Sequence, residues 1–526
     1  MTIASLNLSE DYWKLFSVTK TDIEFINNYL FENEIPQTAK ELVPLLVEER
    51  INQEEVLALK KGENRGKIYF PGDKFQAGEK LVFPKLEWQE GKVTNIRMGV
   101  NPSIGDFEVI CVEFEGSQIR QFAGSLLDHK LNKNLDADIN ENNSGVENIL
   151  NANGASIEVK LVNALIEEDG LVRIAGRWFP RSLLIDINVG HLNLAEAVLD
   201  EANGKPLSTS ALLENVEIPG NINKNLLEFS MNYALQEDIR FDEIGPAGEV
   251  LWCLERLEPE SVRTVPLQLI YKPIEYDKSV LTDQMLALEL ELDDELSNLE
   301  PAETNMAEAT TICLTYPHWR AGTLPVSSKV KPLIPFAYES ERIRFTLIDQ
   351  KSNEEIPAWV VRKSRYIFGL KEFFDKNGLI PGSLISIRKS KKPGVVIIDA
   401  KTRRPTKEWI RTVLVGRDGG IVFAMLKQNI TTDYNERMVI AVPDIESLDT
   451  AREQFAKNMK SFEHGVYTIM HDLTKLNMQG HIHAQELYSG VNVVMRCPPA
   501  PLLSLLSTKG IFSHIGDLHF RLEETV

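Results

Sequence analysis

Three stretches of this chain repeat one pattern, and a repeat constrains a single sequence strongly because each copy must fold as the same supersecondary unit. The segments IPQTAKELVPLL, KPLSTSALLENV and GHIHAQELYSGV each follow an amphipathic stretch and place Thr38, Ser208 or His483 four residues before Leu42, Leu212 or Leu487. Thr38 and Glu41 have capping-box spacing, in which hydroxyl and carboxylate satisfy the free amides of a helix start. The unit begins helix, short turn, helix. Downstream, ALIEEDGLVRIAGRWF, ALQEDIRFDEIGPAGEVLW and LLSTKGIFSHIGDLHFRL each run from a helix into a Gly-containing hairpin. Leu171/Ile174, Phe241/Ile244 and Phe512/Ile515 keep one apolar spacing, with Gly176, Gly245 and Gly516 just beyond, where a positive φ is easiest for Gly.

Three helices and a hairpin make a winged helix, and two copies are complete, Gly190 to Leu257 and Phe462 to Glu524. The head, Ile23 to Val47, either uses the tail around Val159 to Pro180 or has its own; the sequence leaves both open. These copies resemble the HARE-type winged helix of the bacterial RNA polymerase delta subunit, some restriction endonucleases and chromatin-associated eukaryotic proteins. GHIHAQELY and FSHIGDLHFRL carry the best match. The copies depart from it in lacking a basic second or third helix, which leaves a protein-docking or spacer role beside a groove-reading one.

At about 150 residues per domain, 526 residues give three to four domains. The net charge of −20 excludes whole-chain attraction to nucleic acid or anionic lipid. The charge is uneven. Arg320 to Arg411 holds 20 Lys and Arg against 9 Asp and Glu, a net +11 that leaves −31 on the rest. Just before it, Glu275 to Glu308 carries 11 acidic residues and one Lys, which reads as a solvated linker or frayed helix. Leu131 to Ser156, rich in Asn, Asp and Gly, reads as a second flexible connection.

Two β modules complete the chain. Alternation in Lys80–Phe83, Lys92–Arg97, Glu108–Phe114 and Ile119–Phe122, with turns at Glu90-Gly91, Gly105 and Gly116, predicts a four- or five-strand antiparallel meander. It resembles a KOW or Tudor-type barrel, a class that binds protein or RNA, and a spacer role is equally open. The basic block runs RIRFTLID, AWVVRKSRYIFG, a short helix LKEFFDKNG, LIPGSLISIRK, the loop SKKPG and VVIIDA. This succession resembles the DNA-binding pseudobarrel of plant transcription factors and of an EcoRII-type restriction enzyme, which implies contact with double-stranded DNA. Arg362, Lys363 and Arg365 lie at a strand end, Arg388, Lys389, Lys391 and Lys392 surround a tight loop, and Arg403, Arg404, Lys407 and Arg411 follow. Such groups reach phosphates and release counterions, and a well-aimed Arg reads guanine. Trp359, Tyr366 and Phe368 lie among them, as stacking groups or as core.

No phosphate loop, dinucleotide fingerprint, zincin or hydrolase-elbow string occurs. Asp399 and Lys401 in VVIIDAK match half of a restriction-type nuclease motif, with Asp375 as the candidate second acid for Mg²⁺, although EFFDKNG reads as helix. His464, His471, His481, His483, His514 and His519 fall in the last block; His481 and His483 could share a metal with Cys497 or His514 if HIH were a strand. Cys111, Cys253, Cys313 and Cys497 are too scattered for a zinc ribbon or disulfide framework. The N-terminus has no signal-peptide pattern and no apolar run approaches a membrane span, so a cytoplasmic protein is expected.

The expected class is a multi-domain α+β chain with winged helices, a small β-barrel and a pseudobarrel. Its expected segments are a helical head 1–66, an SH3/KOW/Tudor-like barrel 67–130, a polar linker 131–156, a helix with wing-like hairpin 157–189 and a winged helix 190–272. An acidic linker 273–310, the pseudobarrel 311–415, connecting strands and helix 416–460 and a C-terminal winged helix 461–526 follow. The expected function is a DNA-binding regulator of transcription or chromosome-linked processes without catalytic residues, cofactor or metal. Its winged helices contact DNA or protein, RNA polymerase or another nucleoid protein being the partner class. A Mg²⁺-dependent nuclease and a protein-protein adaptor are the alternatives.

Overall fold

The computed structural model describes residues 10–63, 66–83, 86, 89–101, 106–115, 118–132, 139–216, 218, 223–297, 299 and 308–523. The chain is mixed α and β and divides into two units, Met1–Asp186 with Ile222–Phe229, and Ile187–Asn221 with Ser230–Val526. Among the described residues no helix is long and apolar enough to cross a membrane.

In the first unit the helix Lys20–Asn33 leads to strand β1 (Gln37–Thr38) and the helix Ala39–Glu63. The Thr38 N–H donates to Glu41 Oε2 at 2.8 Å and the Glu41 N–H to Thr38 Oγ1 at 3.2 Å, which is the reciprocal box its spacing predicts. Strands β2 (Lys67–Ile68), β3 (Lys80–Phe83), β4 (Gln89–Met98), β5 (Glu108–Phe114) and β6 (Gln118–Gly124) then form one five-stranded sheet in sequence order. Tyr69, Phe83, Phe114 and Phe122 cluster on its inner face, and the Tyr69 hydroxyl donates to the Ala123 carbonyl at 2.7 Å. The expected turns at Gly105 and Gly116 lie outside the described residues.

The polar linker expected at 131–156 is corrected: from Ile139 onward it is the first part of a helix, Ile139–Ile166. Ile157, Leu161 and Leu165, spaced four residues apart, make a stripe packed with Leu42 and Leu46, and Val146 joins the same core. The Asn and Glu of the other faces, Glu147, Asn151 and Glu158 among them, hide that stripe in the composition. Strands β7 (Leu171–Ile174) and β8 (Arg177–Pro180) follow, and β1 pairs with β8, Gln37 opposite Trp178. Head and hairpin are therefore one fold, with the five-stranded sheet inserted between its second and third helices.

The second unit opens with the helix Val189–Glu201, β9 (Leu207–Ser208) and the helix Thr209–Leu213; the helix Lys224–Gln236, which belongs to this unit from Ser230 onward, then leads to β10 (Phe241–Glu243) and β11 (Leu251–Leu254). Next comes a seven-stranded sheet of β12 (Ala309–Cys313), β13 (Thr323–Pro325), β14 (Arg342–Asp349), β15 (Glu355–Val361), β16 (Tyr366–Phe368), β17 (Leu384–Lys389) and β18 (Val395–Ala400). Its order is β12-β17-β18-β14-β15-β16-β13, with β14 and β18 parallel and every other pair antiparallel. Gly382, just before β17, has φ 97°, and a Cβ there would lie 2.4 Å from Val439 Cα, so only Gly fits. A ribbon of β19 (Thr402–Val415) and β20 (Ile421–Thr432) leads to the helix Ile445–Asn458. The chain closes with the helix Phe462–Thr474, β21 (His481–His483), the helices Ala484–Val494 and Pro499–Thr508, β22 (Phe512–Gly516) and β23 (His519–Leu522).

The three small sheets share one strand order, β1-β8-β7, β9-β11-β10 and β21-β23-β22, in which the last strand lies between the other two. Ser208 Oγ accepts from the Ala211 N–H at 3.3 Å and His483 Nδ1 from the Gln485 N–H at 3.1 Å, so the positions equivalent to Thr38 cap their helices too. One continuous core runs through the seven-stranded sheet, the ribbon and the last copy, including Phe345, Ile385, Phe423, Leu448, Leu487 and Phe520. The spans 311–415, 416–460 and 461–526, expected as separate domains, share that core.

The acidic linker is also corrected. Within 273–310 lies the helix Asp283–Leu292, started by the Thr282 side chain and ended at Asp293 with φ 46°. Asp293, Asp294 and Glu295 are buried. Asp293 accepts from the Ser328 and Lys329 N–H groups at 3.1 Å each, and Asp294 accepts from both Nη atoms of Arg496, at 2.7 and 2.6 Å, and from the Tyr488 hydroxyl. Glu295 lies 2.6 Å from Arg496 Nη2 and 3.1 Å from His318 Nε2. Burial alone would raise the Glu295 carboxyl, but Arg496 and His318 outweigh it and hold it below the usual range. The charge is spent on tying the segment to the last copy.

Candidate nucleic-acid interface

The strand register sorts the eleven basic candidates. β14 starts at Arg342 opposite Val361, the end of β15, so the turn Arg362–Arg365 lies beyond that end of the sheet. β17 ends at Lys389 opposite Val396 near the start of β18, and the Thr346 N–H of β14 donates to the Gly394 carbonyl at 3.1 Å. The turn Ser390–Gly394 therefore projects from the same end. Arg362, Lys363, Arg365, Arg388, Lys389, Lys391 and Lys392 are exposed there. Arg403, Arg404 and Lys407 lie at the other end, past the close of β18, on the ribbon. The structure brings seven together and sets three apart.

Arg411 is the correction among the eleven. It is 8% exposed, its Nη1 lies 3.1 Å from Glu486, and its Nη2 donates to the carbonyls of Glu436, at 2.9 Å, and Arg437. Burial lowers the affinity of its guanidinium for its proton. It braces the ribbon. Arg403 is partly engaged as well, 2.7 Å from Glu408 and stacked over Tyr434.

At the basic end, Arg362 Nη1 donates to the Ser340 carbonyl at 2.7 Å and Arg365 Nη1 to the Glu295 carbonyl at 2.9 Å. Arg365 itself has φ 55°, a conformation costing a non-glycine residue about 1 kcal/mol, and its carbonyl accepts from the Val326 N–H at 2.8 Å. Lys363, Arg388, Lys389, Lys391 and Lys392 make no ion pair among the described residues. Their charge is not neutralised within the fold. No family model matches the chain, and neither does a curated protein or a solved structure.

The aromatic candidates are core. Trp359 and Tyr366 are buried with Ile244, Cys253 and Val262, and Phe368 packs against the same cluster. That cluster docks the β10–β11 hairpin on the basic end: the Arg344 N–H donates to the Ile244 carbonyl at 2.8 Å and the Ala247 N–H to the Phe336 carbonyl at 2.7 Å. Arg342 Nη1 lies 2.8 Å from Asp242 and 2.9 Å from Glu258. Burial pushes the carboxyls of Glu243 and Glu258 up to about 8. Sequence reasoning missed Phe336, whose ring is 62% exposed beside this junction; a lone Phe in PLIPFAY carries no periodic signal.

The acids of the nuclease motif are held by different lysines. Asp399 lies 3.6 Å from Lys351 Nζ, while Asp375, inside the helix Lys371–Asn377, lies 2.7 Å from Lys371 Nζ. Lys401 follows β18 and its N–H donates to the Leu384 carbonyl. HIH, expected as a turn into a helix, is strand β21, and pairing with β23 brings His519 within 5.0 Å of both His481 and His483 by ring centroid. Burial, then Arg437 and His519, lower His483 to about 4. Among the described residues no three His, Cys, Asp or Glu side chains are grouped to hold a metal ion. The four cysteines are free thiols, Cys253 and Cys497 buried and Cys111 and Cys313 half-buried.

Proposed function

We propose that this chain is a non-catalytic double-stranded DNA-binding protein, a regulator of transcription or a chromosome-linked process. The seven-stranded sheet is read as a pseudobarrel whose two basic turns rest on phosphates, and the three repeated units as winged helices. The observation that carries this reading is seven exposed cationic side chains at one end of one sheet, none of them in an ion pair among the described residues, in a chain of net charge −20. The helical copies supply packing instead of groove contacts: the second docks its hairpin on the sheet and the third shares the sheet's core. Their outer faces suit a protein partner such as RNA polymerase or another nucleoid protein.

The test is a mobility shift of full-length protein with duplex DNA across a salt series, with and without Mg²⁺. Binding that weakens steeply with salt and leaves the DNA intact is expected. Absence of binding at low salt sinks the reading; cutting lost in both Asp399→Ala and Lys401→Ala replaces it with a nuclease.

A further inference from the structure

Between the turn Arg362–Arg365 and the segment Val326–Glu341 lies a half-open cavity of about 590 Å³. Three of its features are unexplained by folding alone. Phe336 is 62% exposed on its wall, although its backbone is fixed by the hairpin docked through Ala247 and Tyr338 meets its ring edge to face at 5.6 Å. Lys331 and Lys363 line the cavity without an ion pair among the described residues, and Arg362 and Arg365 are positioned beside them by carbonyl oxygens; these four cations share the wall with three carboxylates, Glu339, Glu341 and Glu295, the last already paired with Arg496 and His318. Ser297 is 8% exposed, yet its buried Oγ has no hydrogen-bond partner among the described residues and it lines the same wall.

A ligand that answers all three offers a flat π face to Phe336, an anion to the cations and a polar edge to Ser297. A nucleotide has each of these, and the volume accommodates one. Fully paired DNA does not present a base face, because its bases are stacked.

We propose that this cavity takes one nucleotide unstacked from a DNA strand held on the neighbouring basic turns. The proposal rests on the DNA-binding reading and deepens it from phosphate contact to capture of an unpaired or extruded base. Base stacking on Phe336 and phosphate contact by Lys363 and Arg365 would select strands that unstack easily.

The experiment measures binding of the full-length protein, by fluorescence anisotropy at one salt concentration, to two duplexes of equal length. One is fully paired and one carries a single unpaired nucleotide. The unpaired site should bind roughly tenfold more tightly, on the scale of one base–aromatic stack, and Phe336→Ala should erase the preference while Phe336→Trp keeps it. Equal binding of the two duplexes, or a preference that survives Phe336→Ala, overturns the proposal and leaves the DNA-binding reading standing. Binding of deoxycytidine or deoxyadenosine monophosphate that depends on Phe336, with no preference between the duplexes, also overturns it and assigns the cavity to free nucleotides. Failure of both duplexes to bind at low salt overturns the DNA-binding reading itself.

Discussion

The acidic stretch Glu275–Glu308 and the basic turns at Arg362–Arg365 and Arg388–Lys392 stand out equally as charge runs, and the fold uses them in opposite ways. Asp293, Asp294 and Glu295 are buried and satisfied by serine hydroxyls, backbone amides, Tyr488, His318 and Arg496. The basic turns are exposed, and none of their seven cations finds a carboxylate partner among the described residues, Arg362 and Arg365 donating only to backbone carbonyls. Charge density alone therefore does not mark a binding surface. What separates a structural charge from an available one is whether distant parts of the chain supply its counterion.

The comparison breaks most easily at Arg496. Arg496→Ala strands two buried carboxylates and should cost about 3–5 kcal/mol in urea unfolding, since removing one partner leaves uncompensated buried charge. A loss below about 1 kcal/mol would mean the acids have access to water and the contrast fails. The hairpin junction is the next test. Burial holds Glu243 at about 8, so its contribution is fully present below its ordinary value near 4.5 and is lost as pH rises through 8. Glu243→Gln should remove that dependence, making the variant more stable than the parent by about 4 kcal/mol at pH 8 with the difference vanishing near pH 4. Parallel stability curves across that range would contradict it.

Arg411 and the Arg388–Lys392 turn sharpen the contrast among the cations themselves. Arg411→Ala should destabilise by about 1–3 kcal/mol, as expected when carbonyls lose a buried donor, while the slope of log affinity against log salt for DNA stays as in the parent. Changing Arg388, Lys389, Lys391 and Lys392 together to Ala should do the reverse: the unfolding midpoint hardly moves and the salt slope flattens by about 0.9 for each phosphate left without a cation. A slope that falls for Arg411→Ala, or holds for the quadruple change, would reverse the assignment. All these measurements need the full chain, because residues 320–411 lack β12 and the last helices that complete their core.

Local rules made much of this legible. The caps at Thr38, Ser208 and His483 and the positive-φ glycines Gly176 and Gly516 reveal the repeated unit, although in the second copy the positive φ falls at Gly248 and not at the expected Gly245, and alternation gives β3 and β5 at their observed ends. What stayed hidden depends on partners far along the chain. Two-residue strands such as β1 and β9 exist only because a hairpin reaches them, the burial of Asp294 depends on Arg496 some two hundred residues later, and nothing near Arg411 announces the carbonyls of Glu436 and Arg437. At the candidate interface the turns were readable, but their common end of the sheet follows from the parallel pairing of β14 and β18. The exposed ring of Phe336 is visible only once the hairpin is docked.

The insertion of the five-stranded sheet within the first repeated unit imposes an order in time on a chain made from its N-terminus. Gln37 must wait for Trp178, and Arg177 reaches the Pro36 carbonyl across 141 residues. At roughly 5–20 residues per second of synthesis, that delay is about 7–28 s, during which the opening helices have no third helix to cover Leu42 and Leu46. Among the described residues the inserted sheet pairs its strands only with one another, and it can close in the interval. It thus acts as an early-folding spacer whose completion returns the chain toward its own beginning, and shortening or unfolding it would lengthen the exposure of the nascent apolar face.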